Sequence, residues 1–92
     1  MVSQIVTVKN ESGLHARPAS VLVKVATKYE SDFTIKMYGY SVNGKSILGV
    51  MTLAAEFGAE MELVLEGPDE KQALNELVSL FENRFQLQNG EG

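Results

Sequence analysis

A glycine and a proline five positions apart, with a histidine and an arginine between them, constrain this chain more than any other feature. Gly13 ends a run of turn-forming residues, whereas Pro18 suits the first turn of a helix, because the N–H it lacks would be unpaired there. The segment therefore predicts that a helix begins close to His15, the single histidine of the chain. His15 and Arg17 would then lie beside unpaired amides and the positive end of the helix dipole. A ring nitrogen and a guanidinium in this position are suited to carrying a phosphoryl group.

The length and composition predict one globular domain without a membrane span. The chain has 92 residues, of which 45% are hydrophobic and 22% charged. It has no cysteine, which excludes disulfides and cysteine-ligated metal, and we predict neither a metal site nor a cofactor. No stretch approaches the ~20 apolar residues of a membrane span. Because the first residues also lack the pattern of a secretory signal, we expect a cytoplasmic protein that does not insert into membranes.

The net charge of −4 is distributed unevenly along the chain. Residues 1–46 contain six Lys or Arg and three Asp or Glu, for a charge of +3, whereas residues 47–92 contain two and nine, for −7. A chain this acidic is a poor nucleic-acid binder. The basic half, which contains His15, would suit docking to an acidic protein surface, although solvation explains such charges equally well.

Apolar alternation and helical spacing predict the order strand, helix, strand, strand, short helix, strand, helix. The strands fall within residues 2–8, 33–38, 40–42 and 60–66. Each strand is half polar, so the four should form an antiparallel or mixed sheet with one exposed face and with helices on the other. The polar, glycine-rich residues 87–92 are expected to be a disordered tail.

The sequence specifies its first and last helices in different ways. The first should begin at Ala16, although Val21, Val23 and Val25 also alternate as in a strand; Pro18 and the alanines favour a helix. For the last helix we predict Asp69 as N-cap, with Gln72 completing a capping box. Its buried stripe is predicted to consist of Leu74, Leu77, Val78, Phe81 and Phe85.

Residues 46–55 are apolar on nearly all sides and carry no charge before Glu56. A short surface helix cannot bury all of its large apolar residues, so some should remain exposed as a surface for a partner. A fully buried helix or strand is an equally good interpretation of the segment. Ser46 has a simple role as the N-cap of this helix, which residue type alone favours over regulatory phosphorylation.

Two separated motifs make the chain similar to a known family. Gly13-Leu14-His15-Ala16-Arg17-Pro18-Ala19 resembles the active-site signature of HPr, the histidine-containing phosphocarrier family of the bacterial sugar phosphotransferase system. Residues 45–53 resemble the regulatory serine segment of that family, and residues 58–60 and 66–70 are also similar to it. The resemblance implies an α+β fold, an open-faced sandwich in which three helices cover one face of a four-stranded antiparallel sheet. It implies a single domain over residues 1–86.

The resemblance also implies a function for the histidine motif. In the family, the residue matching His15 accepts a phosphoryl group from enzyme I on Nδ1 and passes it to a sugar-specific enzyme IIA. The chain would therefore be a stoichiometric carrier and not an enzyme. Arg17 is implied to neutralise phosphoryl charge, the amides of Ala16 and Arg17 to point at the phosphate, and Pro18 to fix the helix start.

Regulation and partners are likewise implied. Ser46 would be phosphorylated by an HPr kinase/phosphorylase, and a catabolite-control regulator is a further possible partner. The enzyme I surface would include Ser20, Ile47, Leu48 and Met51, and a transient relay is expected to be monomeric. Two alternatives remain: a carrier of the nitrogen-related branch, which residues 46–51 disfavour, and a regulatory module acting through Ser46. The presence of His15 argues against the second.

Overall fold

Four strands and three helices follow one another in the predicted order. The computed structural model describes residues 1–85, so the predicted tail over 87–92 lies outside the described residues. Each predicted strand is present, with its ends within one residue of the prediction. The elements are β1 (Val2–Thr7), α1 (Ala16–Ala26), β2 (Asp32–Met37), β3 (Tyr40–Asn43), α2 (Ile47–Thr52), β4 (Glu60–Glu66) and α3 (Glu70–Glu82).

The strands form one antiparallel sheet in the order β1-β4-β2-β3. Ile35 of β2 lies opposite Leu63 of β4 in this register, and both side chains are fully buried. Tyr38 and Gly39 join β2 to β3 with φ angles of 53° and 82°, a backbone whose twist matches that of the flanking strands. The sheet is therefore antiparallel throughout, which decides between the two arrangements that the strand pattern allowed.

The helices cover one face of the sheet, and the core lies between the two layers. Alternate strand residues such as Phe33, Ile35 and Leu63 meet the apolar faces of the helices there. On the other face Ile5 is 64% exposed, in agreement with the prediction of one solvated face. The observed architecture is the open-faced sandwich.

The predicted capping box at the start of α3 is wrong. Asp69 occupies the N-cap position, but its side chain makes no capping hydrogen bond. Its carboxylate instead accepts hydrogen bonds from the amides of Glu30 (2.9 Å) and Ser31 (3.0 Å) and from the Ser31 hydroxyl. The reason is tertiary: Ser31 is fully buried, and a buried polar group needs a partner. Glu70, not Gln72, closes the first turn by accepting from the Gly67 amide at 3.1 Å.

The buried stripe of α3 differs in part from the prediction. Leu77 and Phe81 are buried as expected, whereas Leu74 and Val78 are only half-buried at its edge. The remaining buried helix residues are Ala73 and Leu80. Phe85 is buried but lies beyond the helix, with its ring edge-to-face against Phe81 at a centroid distance of 4.8 Å.

Candidate functional site

His15 lies at the N-cap of α1 with its ring exposed. Its backbone is extended (φ −93°, ψ −161°), and its side chain makes no capping hydrogen bond. Side chains at this position usually fold back onto a first-turn amide. Within residues 1–85 neither ring nitrogen has a hydrogen-bond partner. The imidazole is therefore accessible to a reagent that approaches from solvent.

The first turn of α1 leaves two backbone donors open beside this ring. Ala19 donates its N–H to the His15 carbonyl at 2.9 Å, and Pro18 has no N–H to offer. Among the described residues, no group accepts from the amides of Ala16 or Arg17. No acidic side chain occupies this turn. The arrangement favours an anion next to the imidazole.

The turn before His15 is held close to another segment of the chain. The Gly13 amide donates to the Asn10 carbonyl at 3.0 Å, and the amide of buried Leu14 donates to the Ala55 carbonyl at 2.8 Å. Gly13 has a φ of +78°, and a Cβ there would lie 2.6 Å from the Ala55 oxygen. This close approach requires glycine, and it fixes the direction in which the chain enters α1.

Two clefts flank His15. The larger, of about 630 Å³, is lined by Lys9, Asn10, Glu11, Ser12, His15, Phe57 and Arg84. The smaller, of about 290 Å³, is lined by Asn10, His15, Arg17, Pro18, Val21, Arg84 and Phe85. The structure thus brings the predicted His15, Arg17 and Pro18 together in one cleft.

Sequence reasoning missed the residues that reach this site from elsewhere in the chain. Phe57 comes from the loop after α2, and Arg84 comes from the turn that follows α3. The one signal for Arg84 is compositional: only it and Lys71 are basic within residues 47–92. Its position depends on how α3 packs, which no local motif encodes.

The second predicted site, around Ser46, is separate from the His15 clefts. Ser46 caps α2 as predicted, with its hydroxyl accepting from the Gly49 amide at 3.1 Å. Three exposed residues of α2 form an apolar patch: Ile47 (42% exposed), Leu48 (78%) and Met51 (40%). Val50 points into the core, so the fully buried interpretation of this segment is wrong. Helix α1, which carries exposed Ser20, packs against α2.

Two lysines from the basic first half of the chain form ion pairs within the molecule. Lys9 pairs with Glu82 at 3.1 Å and Lys28 with Glu76 at 2.8 Å, and both acids belong to α3. Within residues 1–85, Arg17 forms no ion pair and remains exposed. Part of the basic charge in the first half of the chain is thus paired with acidic residues of α3.

Residues 1–85 contain no group of three or more side chains placed to hold a metal ion. None of the three helices in this range has the length and apolar composition that a membrane crossing requires.

An α+β sandwich with an exposed histidine at an open helix N-terminus defines a class of proteins able to hold a phosphoryl group on an imidazole. A family profile described as "PTS HPr component phosphorylation site" matches residues 2–83. Over 86 residues the chain is 46% identical to phosphocarrier protein HPr of Treponema pallidum, covering 94% of this chain and 98% of that protein. The chain belongs to the HPr family, the phosphocarriers of the phosphotransferase system, which carry a group and do not catalyse a reaction.

Solved structures share the fold. A crystal structure of HPr from Thermoanaerobacter tengcongensis matches with a TM-score of 0.91 and 39% identity, covering 96% of this chain and 99% of that one. The HPr-like protein Crh of Bacillus subtilis is 43% identical over 79 residues, which is 86% of this chain and 93% of that protein. The architecture implied by the two motifs is therefore confirmed.

Proposed function

We propose that this chain accepts a phosphoryl group from phospho-enzyme I on Nδ1 of His15 and passes it to a sugar-specific enzyme IIA. The observation that carries the proposal is the exposed, uncapped imidazole beside the open amides of Ala16 and Arg17. An exposed ring can meet first one partner and then the other. The amides and the Arg17 guanidinium are donors that suit the charge on the phosphoryl oxygens.

The transfer is a simple exchange of bonds at phosphorus. With the ring proton on Nε2, the Nδ1 lone pair of His15 attacks phosphorus and forms the N–P bond. The bond to the donor atom of enzyme I breaks, and its electron pair stays with the donor. In the second transfer a nucleophile of the acceptor forms the new bond and the electron pair of the N–P bond returns to Nδ1. Positioning and charge stabilisation are the main contributions of the protein.

The test combines phosphoenolpyruvate, enzyme I and this protein. We expect stoichiometric, acid-labile and base-stable phosphate on the wild type and none on His15→Ala, which should fold normally because the ring is exposed. Arg17→Ala should slow transfer by about tenfold through loss of a charge-assisted hydrogen bond. Lys36→Ala, on the exposed face of the sheet, is the matched control. An unlabelled wild type would overturn the proposal, and an unchanged rate in Arg17→Ala would remove the role of Arg17.

We further propose that enzyme I docks on the apolar patch and Ser20. The three patch residues remain exposed although Val50 of the same helix is fully buried. Exposed apolar side chains grouped on one surface are typical of an interaction site, and methionine adapts to more than one partner.

Ser46 is proposed as a regulatory site next to that surface. Its hydroxyl directly precedes the apolar patch, so a phosphate there would add negative charge and strong hydration beside Ile47. Docking on the patch would weaken as a result. Incubation with an HPr kinase/phosphorylase followed by mass spectrometry should place one phosphate on Ser46 and none on Ser46→Ala. A catabolite-control regulator is the partner that would read this form.

The proposal also covers the branch of the phosphotransferase system, the location of the protein and its oligomeric state. We propose a cytoplasmic monomer of the sugar branch. Offering phosphorylated protein equal amounts of a sugar-specific and a nitrogen-related enzyme IIA should discharge it faster to the first. Faster discharge to the second would favour the alternative branch, and a dimer in sedimentation would contradict the monomer.

A further inference from the structure

A second arginine lies in the clefts beside His15. Arg84 lines both clefts, as do His15 and Asn10, whereas Arg17 lines only the smaller one. The Arg84 side chain is exposed and forms no ion pair within residues 1–85. Among the described residues that line these clefts, Glu11 is the one with a carboxylate. The Arg84 guanidinium therefore has its donors available at the site where the phosphoryl group would be carried.

The backbone holds Arg84 there in an unusual conformation. Arg84 and Phe85 have φ angles of +55° and +61°, a region that side chains with a Cβ rarely adopt. The Phe85 amide donates to the Leu80 carbonyl at 2.7 Å, and the Phe85 ring is buried in the core. The chain therefore turns sharply at the end of α3, which sends Phe85 inward and leaves Arg84 outside.

Asn10 connects this turn to the loop that precedes His15. Its side-chain amide donates to the Arg84 carbonyl at 3.3 Å. Glycine or asparagine would suit a left-handed position better than arginine does. Strain of this kind persists where the surrounding structure holds it, and it is often found at functional sites. An arginine at a strained position therefore indicates a function for its side chain.

We propose that Arg84 is a second phosphoryl-binding guanidinium, which stabilises the phosphorylated form of His15 from the end of α3 while Arg17 does so from α1. The inference rests on the phosphocarrier role proposed above. A phosphoryl group carries more charge than one guanidinium neutralises, and the planar fork of arginine suits its oxygens. Since the clefts open to solvent, the effect should weaken in high salt.

Arg84→Asn separates this role from a structural one. Asparagine tolerates a left-handed backbone, so the variant should melt at the wild-type temperature or above it. Its equilibrium ratio of phosphorylated to free protein, at a fixed ratio of phosphoenolpyruvate to pyruvate with enzyme I, should fall about threefold to tenfold. Arg84→Lys should recover part of this loss, and Lys36→Asn should show none. At roughly 1 M salt the difference between wild type and Arg84→Asn should shrink.

The outcomes distinguish the two proposals. If the wild type is phosphorylated and Arg84→Asn reaches the same ratio as Lys36→Asn, the inference about Arg84 is wrong while the carrier role of His15 stands. If Arg84→Asn melts lower and Arg84→Lys shows no recovery of the ratio, Arg84 is structural, and the inference is again wrong. If the wild type accepts no phosphate, both proposals fail.

Discussion

Single residues place the imidazole, and Gly13 is the clearest of them. It combines a left-handed backbone with a contact that leaves no space for a side chain, since a Cβ would lie 2.6 Å from the Ala55 oxygen. The next amide, that of Leu14, donates to this same carbonyl at 2.8 Å. The residue that allows the turn therefore also allows the hydrogen bond that anchors the entrance of α1.

Gly13→Ala should destabilise the domain by about 2 kcal/mol, the strain of the left-handed backbone plus the clash with Ala55. Gly39→Ala is the matched control, because Gly39 has a similar φ of +82° but no atom within 4 Å of its Cβ position. It should lose about 1 kcal/mol from backbone strain alone. Urea unfolding measures both, and equal losses would show that the contact with Ala55 does not matter.

At this scale the sequence predicts local roles and misses tertiary ones. His15 at the helix start and Ser46 as a cap follow from neighbours within a few residues, and the structure contains both. Asp69 satisfies the criteria for a capping box, yet its carboxylate binds the amide of Ser31 in a distant loop. Arg84 lies beside His15 because of how α3 packs against β1, β4 and α1, and no motif near Arg84 in the sequence indicates this.

At the scale of elements, Asp69 connects the start of α3 to the loop between α1 and β2. Hydrogen bonds from Ser31 and from the Glu30 amide hold the pKa of the Asp69 carboxyl below its ordinary value of 3.8. A second connection joins the same loop to α3, where Tyr29 donates to Glu76 and its own pKa rises to about 12. The two contacts hold the five-residue loop that leads into β2 against α3.

Asp69→Asn should reduce stability at neutral pH and progressively less in acid. Because the folded pKa of Asp69 is lowered, its contribution is complete above the ordinary value of 3.8 and disappears as the pH falls through the folded pKa. The gap in unfolding free energy between wild type and variant should therefore be constant from pH 7 to about pH 5 and narrow below about pH 4. Urea unfolding across this range measures it.

Asp32→Asn is the control for this comparison. Asp32 is an exposed carboxylate whose side chain makes no hydrogen bond within residues 1–85. The pKa values of Glu70 and Glu76 are also lowered, so the wild type loses stability in acid for further reasons. Only the difference between wild type and Asp69→Asn isolates Asp69. A gap that is independent of pH would contradict the assignment.

The elements themselves were predictable because their patterns are simple. Buried and less buried residues alternate along the whole length of β2 and β4. All four strands are found within one residue of their predicted ends. The stripe of α3 was predicted less well, since Ala73 is buried while the larger Leu74 is only half-buried. Helical spacing gives the period of a stripe, but the neighbouring strands decide its centre.

At the scale of the whole molecule, the two layers separate the surfaces available to partners. The sheet presents one face to solvent, and α1 and α2 present His15, Ser20 and the apolar patch on the other side. Ion pairs such as Lys9 with Glu82 use basic charge of the first half internally. Docking should therefore depend more on the patch than on the net charge of either half of the chain.

Leu48→Ala should weaken the binding of enzyme I about fivefold to thirtyfold, as expected for truncation of an anchor residue in an interface. Leu48 is 78% exposed, so the melting temperature should not change. Ile5→Ala is the matched control, because Ile5 is 64% exposed but lies on the opposite face of the sheet. Calorimetric titration measures both affinities. If Leu48→Ala binds as tightly as Ile5→Ala, the patch is not the docking surface, and a phosphate on Ser46 would need another way to oppose transfer.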